Sequence, residues 1–208
     1  RRIKYEFMTK SIIIIPSRLA ATRLPNKPLI NINKKSLIMH VYEKALKSEI
    51  GEVYVATCDE EIALEVKKNG GKFIMTNIKH TNGTERVYEA TQKLGLEDID
   101  IVINVQGDEP MINPKDIKNL NRVSLKNNLN IATLAYKIES KEDYINKDIV
   151  KVVTKNKLTD KTSQKAINFY RLVNSNYQNY IYQHFGIYLF KLSALKKLVS
   201  LKKSKNEI

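Results

Sequence analysis

Ile101-Val102-Ile103-Asn104-Val105-Gln106-Gly107-Asp108-Glu109-Pro110 is the stretch on which the reading of this chain turns. Ile101 to Ile103 reads as a buried strand, and an acidic pair follows at its end. Carboxylates there are costly to desolvate and need a strong partner. A metal ion is the usual one, and Mg²⁺ with a nucleoside triphosphate is the commonest case. A solvated strand-end loop stopped by Pro110 explains the same residues equally well, because acidic side chains are common where strands end.

A second stretch, Ser11 to Leu29, shifts the balance. Ile12 to Ile15 is a β-branched run, too short for a helix. Pro16 ends it. A loop follows with the cations Arg18, Arg23 and Lys27 and with Pro25 and Pro28. Proline fixes backbone torsions, so the loop is stiffer than its length suggests. A stiff cationic loop after a first parallel strand lies where α/β sheets bind ligands. Arginine offers phosphate a planar fork and lysine a point charge. In a chain with net charge +14, a plain basic surface loop is the competing reading.

Neither G-x-x-x-x-G-K-[ST] nor G-x-G-x-x-G occurs, which disfavours P-loop kinases and dinucleotide dehydrogenases. What remains is a triphosphate held by side-chain cations and one metal, as in nucleotidyltransferases that activate sugars.

Working outward, strands and helices alternate. A helix is expected over 36–48, a strand over 52–57, and a helix over 60–69 stopped by Gly70-Gly71. A strand over 72–75 follows, then a helix over 84–94 capped by Thr84 and ended by Gly95. A further helix runs from Pro114 to Lys126. Strands are expected over 131–138, 150–154, 167–172 and 186–190. The fold class is therefore α/β: a mostly parallel, Rossmann-like sheet with helices on both faces, in three layers. His40 reads as a packing or surface residue. Tyr177, Tyr180 and Tyr182 suit an interface or a sugar site, but for at least two of them an ordinary half-buried strand is the preferred reading.

The motifs resemble those of the 3-deoxy-manno-octulosonate (Kdo) cytidylyltransferases, or CMP-Kdo synthetases. Pro16 to Leu29 is similar to their P-A-R-x-x-S-x-R-L-P-G-K-P-L, and Ile103 to Pro110 to V-N-V-Q-G-D-E-P. His80 to Arg86 resembles H-x-S-G-T-[DE]-R, and Asp148 to Val153 resembles N-x-V-K-V-V. Phe169 to Arg171 is similar to Y-F-S-R, and His184 to Tyr188 to R-H-x-G-I-Y. The order is preserved from about Lys10 to about Val199, which makes the set specific where any one motif is weak.

The resemblance implies transfer of CMP from CTP to Kdo, giving CMP-Kdo and diphosphate for lipopolysaccharide biosynthesis. It implies Mg²⁺ with Asp108 as its ligand, and Arg18, Lys27 and Asp108 as the catalytic set. Ser17, Arg18, Arg23, Lys27, Asn82, Gly83, Thr84 and Gln106 are expected to meet the nucleotide, with Thr84 equally readable as only a cap. Gln106, Arg171, His184 and Tyr188 are expected to meet the sugar acid. Arg86 reads as a helix-face residue with a salt bridge. A homodimer working in the cytoplasm is expected. A relative acting on another sugar acid, such as sialic acid, is the runner-up, and a truncated, inactive nucleotide-binding relative is a further alternative. One domain is expected over 9–208, with a nucleotide-binding part over about 9–130 and a sugar-binding and dimerisation part over about 131–190. Residues 1–8 are a tail outside it, with Met8 readable as a natural start.

Four departures from the pattern stand out. Asn26 replaces the glycine before Lys27, in a turn where asparagine tolerates the left-handed conformation. Cys58 replaces the aspartate of A-T-D, with Asp59 one position on. Gln183 replaces an arginine. The family's later G-V-D-T-P segment, whose aspartate is a second metal ligand, has no counterpart before Ile208. The chain is expected to be C-terminally truncated: if it is the whole protein, the metal site is half built and activity weak or nil, and if it is a fragment, the parent is the enzyme.

Bulk composition excludes other classes. One cysteine rules out an intrachain disulfide and fits a reducing compartment. No apolar stretch approaches membrane-span length. The lysines are spread among Asn and Ile without a nucleic-acid motif, so no nucleic-acid or membrane partner is expected. The lysines near the C-terminus read as a solvated helix face.

Overall fold

Ile12, Ile13, Ile14 and Ile15 are all fully buried, because β1 (Lys10–Ser17) runs through the middle of a sheet covered on both faces. The computed structural model describes residues 9–20, 24–95, 99–172 and 180–201. Side chains alternate across a strand. Ile13 and Ile15 therefore pack with α1 (Leu37–Leu46), α2 (Glu60–Lys68) and α4 (Pro114–Lys126). Ile12 and Ile14 face α3 (Gly83–Lys93) and α6 (Leu192–Ser200) through Val87, Ala90 and Leu195. This is the expected three-layer arrangement.

One half of the sheet is parallel. Its order is β5 (Phe73–Met75), β4 (Val53–Thr57), β1, β6 (Ile99–Asn104). The other half is antiparallel and hangs on β10 (Tyr180–Lys191), which pairs with β6 through Tyr188 to Lys191. β7 (Ile131–Lys137) lies along most of β10, and β8 (Lys151–Thr154) pairs with its first residues. β9 (Ala166–Tyr170) then pairs with β8.

The expected helices and strands are largely present. Gly70 ends α2 at φ 73°, and Gly95 follows α3 at φ 56°. The cap of α3 is Asn82, not Thr84: its side chain accepts from Glu85 N. A short polar side chain in extended backbone does this work, and Asn82 holds that position two residues earlier. A hairpin of β2 (Asn31–Ile32) and β3 (Lys35–Ser36) was not expected. Its turn places Asn33 and Lys34 at positive φ without glycine, so the usual hairpin signal is missing. His40 Nε2 bonds Ile32 O in that hairpin, a packing role as read. A short α5 (Lys141–Ile145) was also unexpected.

β10 begins six residues before the expected Gly186, because polar Gln183 and His184 interrupt its apolar pattern. Tyr182 is half-buried in it, and its hydroxyl accepts from Leu158 N at 2.8 Å. Tyr180 is exposed, and Tyr177 lies outside the described residues. Lys196 and Lys197 form the exposed face of α6, while Leu195 anchors its other side. No described helix is long and apolar enough to cross a membrane.

Candidate functional site

β1 and β6 are parallel neighbours, so both carboxyl ends reach the same edge of the sheet. Beyond β6 the chain direction reverses at β10. Ligands of open α/β sheets bind at such edges. A cleft of about 340 Å³ lies there.

One wall is the segment after β1. Ser17 is buried, and its Oγ has no hydrogen-bond partner among the described residues. Arg18 is exposed at the rim. Arg23 lies outside the described residues. Asn26 sits at φ 57°, ψ 19°, so the left-handed turn survives the loss of glycine. A 3₁₀ turn from Lys27 to Leu29 follows and buries Pro28. Lys27 Nζ then reaches Asp108 Oδ2 at 2.7 Å, joining the two loops across the cleft.

The second wall is the segment after β6. A Cβ on Gly107 would lie 3.0 Å from Pro16 O and 3.3 Å from Ile38 Cδ1. Glycine lets the Asp108 loop approach β1 this closely. Gly107→Ala is expected to push that loop off β1 and to weaken binding of the nucleotide expected from the sequence about 10-fold, roughly the effect of misplacing one charged group. Calorimetric titration with CTP checks it; unchanged affinity would mean the close approach is only packing. Glu109 is half-buried, and burial followed by the Asp108 charge raises its carboxyl above the usual range. Gln106 lies against β10: a Cβ on Gly186 would touch its Cγ at 3.4 Å.

The third wall is the start of α3. Asn82 and Gly83 line the cleft, and Gly83 packs close to Pro16. Thr84 lies within the first turn and does not line it. Two further lining residues escaped the sequence reading. His80 directs Nε2 at Glu89, with Nδ1 3.7 Å from Glu85. Burial opposes ionisation of Glu89, but hydrogen bonds from Lys93, Asn77 N and His80 outweigh it and hold the carboxyl at about 2. Arg86 is only 3% exposed. Its Nη1 bonds Thr76 Oγ1 and Asn77 O, and among the described residues it forms no salt bridge. The expected surface ion pair is therefore replaced by a buried guanidinium beside the cleft. Its spacing in the helix gave no signal of this, because the burial comes from the segment at Thr76 and Asn77.

Of the sugar candidates only Gln106 lines this cleft; Arg171, His184 and Tyr188 sit on the antiparallel half. Phe185 pairs with Leu134 and Tyr188 with Thr133, so Gly186 and Ile187 form a bulge in β10. Thr133 Oγ1 bonds His184 Nε2 at 3.0 Å. Phe169 meets the His184 ring edge-to-face at 5.1 Å, and Tyr188 lies 5.4 Å away. Arg171 is exposed and donates to Lys147 O at 3.1 Å.

Burial lowers the pKa of His184 and raises that of the Tyr188 hydroxyl. His184 therefore binds a proton less readily folded than unfolded. Stability from this group is present above its unfolded value of about 6.5 and is lost as pH falls through the lower folded value. Urea midpoints at pH 7.5 and 5.5 are expected to fall more for the unaltered chain than for His184→Asn. Equal falls would remove His184 from the linkage.

The structure thus brings Ser17, Arg18, Lys27, Asn82, Gly83, Gln106 and Asp108 to one cleft. Residues 12–207 match the family model described as Cytidylyltransferase. The chain is 42% identical over 207 residues to the 3-deoxy-manno-octulosonate cytidylyltransferase of Thermodesulfovibrio yellowstonii, covering 95% of this chain and 81% of that protein. It is 39% identical to 3-deoxy-manno-octulosonate cytidylyltransferase 2 of Actinobacillus pleuropneumoniae, covering 91% and 78%. The solved structure of CMP:2-keto-3-deoxy-manno-octonic acid synthetase complexed with CTP superposes with a TM-score of 0.83 at 38% identity, over 96% of this chain and 81% of that one. The chain belongs to the cytidylyltransferase family, among the 3-deoxy-manno-octulosonate cytidylyltransferases.

Proposed function

We propose that this protein transfers CMP from CTP to 3-deoxy-D-manno-octulosonate. The anomeric hydroxyl oxygen of Kdo bonds to the α-phosphorus, the bond from that phosphorus to the bridging oxygen breaks, and diphosphate leaves. The hydroxyl proton passes to solvent, as no dedicated general base stands out. The observation that carries the reading is the Lys27–Asp108 pair, which sets a cation and a carboxylate face to face in a cleft between two parallel strands.

The donor set fits Mg²⁺. Asp108 supplies one half-exposed carboxylate, and the described residues hold no cluster of three or more metal-ligating side chains. Magnesium is commonly bound by one or two carboxylates with substrate phosphates and water, not by an all-protein cage. When bound, it would neutralise phosphate charge. Lys27 and Arg18 neutralise the triphosphate and then the departing diphosphate, with Arg23 in the same role. The Ser17 hydroxyl donates to a phosphate oxygen. Asn82 and Gly83, which line the cleft, approach the cytosine, where glycine permits close contact. Gln106, between the cleft and β10, bonds the ribose or the sugar. Arg171 supplies a fork for the Kdo carboxylate, and His184 and Tyr188 meet its hydroxyls.

The proposed division follows these roles: about 9–130 for nucleotide and about 131–190 for sugar and for homodimer contact. The proposed setting is the cytoplasm, in lipopolysaccharide synthesis.

The test is diphosphate release from CTP by the purified chain, with Kdo, with sialic acid and with neither. Release that requires Kdo and Mg²⁺ is expected. Release with sialic acid instead would move the substrate to another sugar acid. CTP binding without release would favour a non-catalytic relative, and no CTP binding would sink the proposal.

A further inference from the structure

Asp59 lies outside the cleft, yet its carboxylate acts on the segment that carries the cations. Leu19 N donates to Asp59 Oδ2 at 2.8 Å, across a sequence separation of 40. Asp59 is the cap residue of α2, where an aspartate normally accepts from an amide of the first turn. It makes no such bond. Its Oδ2 serves Leu19 instead, and at 3.7 Å the thiol of Cys58. Its own amide donates to Thr57 Oγ1 at 3.1 Å, and Thr57 pairs with Ser17 across the sheet. The carboxylate is thus fixed beside the end of β1.

Leu19 is the hinge point of the segment after that strand. Its amide is held by Asp59, its carbonyl accepts from Asn26 N, and its side chain packs on the core. Arg18 precedes it directly, and Lys27 follows Asn26 directly. Both cations therefore take their position from one residue that Asp59 tethers. The aspartate expected at position 58 from the family pattern is Cys58 here, and Asp59 supplies a carboxylate one position later.

We infer that Asp59 is a positioning residue for phosphate recognition, holding Leu19 so that Arg18 and Lys27 face the triphosphate. The inference rests on the proposed CTP reading for its ligand. It predicts a loss confined to ligands that carry the phosphates. Asp59→Ala is expected to weaken CTP binding about 10- to 100-fold, the range of one charge-assisted hydrogen bond. Asp59→Asn keeps an acceptor oxygen and is expected to restore most of the affinity.

NMR titration of the full chain with CTP plus Mg²⁺, and separately with cytidine, measures both, alongside hydrogen exchange at the Leu19 amide. The expected result is weaker CTP binding, unchanged cytidine binding and faster Leu19 exchange in Asp59→Ala, with CTP binding and Leu19 exchange both returned toward the original in Asp59→Asn. Equal weakening of CTP and cytidine would reduce Asp59 to a general structural role and overturn the inference. Unchanged Leu19 exchange in Asp59→Ala would overturn it as well. If the unaltered chain binds no CTP, the functional reading fails, and phosphate recognition by this loop fails with it. Leu19 exchange then still reports separately whether the tether exists.

Discussion

Asp108→Asn is expected to cut Kdo-dependent diphosphate release by about 10²- to 10³-fold, the usual effect of deleting one electrostatic contact made to a reacting group. The fold should be nearly unaffected. The Asp108 side chain is 52% exposed and Lys27 33%, and an ion pair that open to water is worth at most about 1 kcal/mol. Asparagine keeps the shape and removes only the charge. With that charge gone, Lys27 loses its partner in the free protein and stays available to phosphate. CTP binding without metal should therefore hold or tighten, while the Mg²⁺ concentration needed for half-maximal rate rises. Release measured across a Mg²⁺ series, together with thermal unfolding, separates these effects. A loss under 10-fold at saturating Mg²⁺ would show that the carboxylate is not the metal's anchor. A matching loss of stability would point to the loop and not to the chemistry.

The parts of this protein that could be read in advance are those whose causes are local. The Ile12–Ile15 run reads as a strand buried on both faces, but β1 does not end at Pro16 as expected: it runs on to Ser17, both residues pairing with β4. The acidic pair after Ile103 and the cations after Pro16 then meet because parallel neighbours end on one edge; the Lys27–Asp108 contact at 2.7 Å follows from that topology. Asn26 could be judged from its own backbone preference, and it adopts the left-handed turn. What escaped reading depends on partners outside the motif that holds each residue. Arg86 has the spacing of an ordinary helix-face residue, and only the approach of the segment at Thr76 and Asn77 makes it buried. His80 is set by Glu89, a helix turn beyond the motif that contains it. Asp59 resembles a helix cap until Leu19 arrives to take its oxygen. The antiparallel half was legible only as separate strands, since a long strand that borders three others, as β10 does, leaves no periodic mark at its polar bulge.

Lys151→Ala is expected to lower stability by about 3–5 kcal/mol, which for a chain of this size moves the unfolding midpoint by about 10 °C. Lys151 is fully buried in β8, between two strands. No carboxylate pairs with it among the described residues. Its ammonium instead donates to Asn146 O and, at 3.1 Å, to Arg171 O. Arg171 returns the contact through its own guanidinium to Lys147 O. The two side chains thus clasp the turn before β8 to the end of β9. Alanine removes both donors, strands two carbonyl oxygens and leaves a cavity, and each of these costs on its own. Lys151→Met separates them, because it fills the space without donating. If cavity and lost hydrogen bonds weigh about equally, methionine recovers roughly half of the loss. A Met variant as stable as the original would mean that desolvating the ammonium cancels its two bonds, as happens at many buried charges. The functional consequence is expected on one side only. The clasp supports Arg171 and Phe169, beside His184, and touches nothing in the cleft between β1 and β6. KM for Kdo should rise about 10-fold, the cost of displacing one anchoring group, while CTP affinity stays within a factor of about two. Kinetics with each substrate varied in turn would read that split. A parallel rise for both substrates would mean that the two halves of the sheet unfold together and that the clasp serves the whole domain.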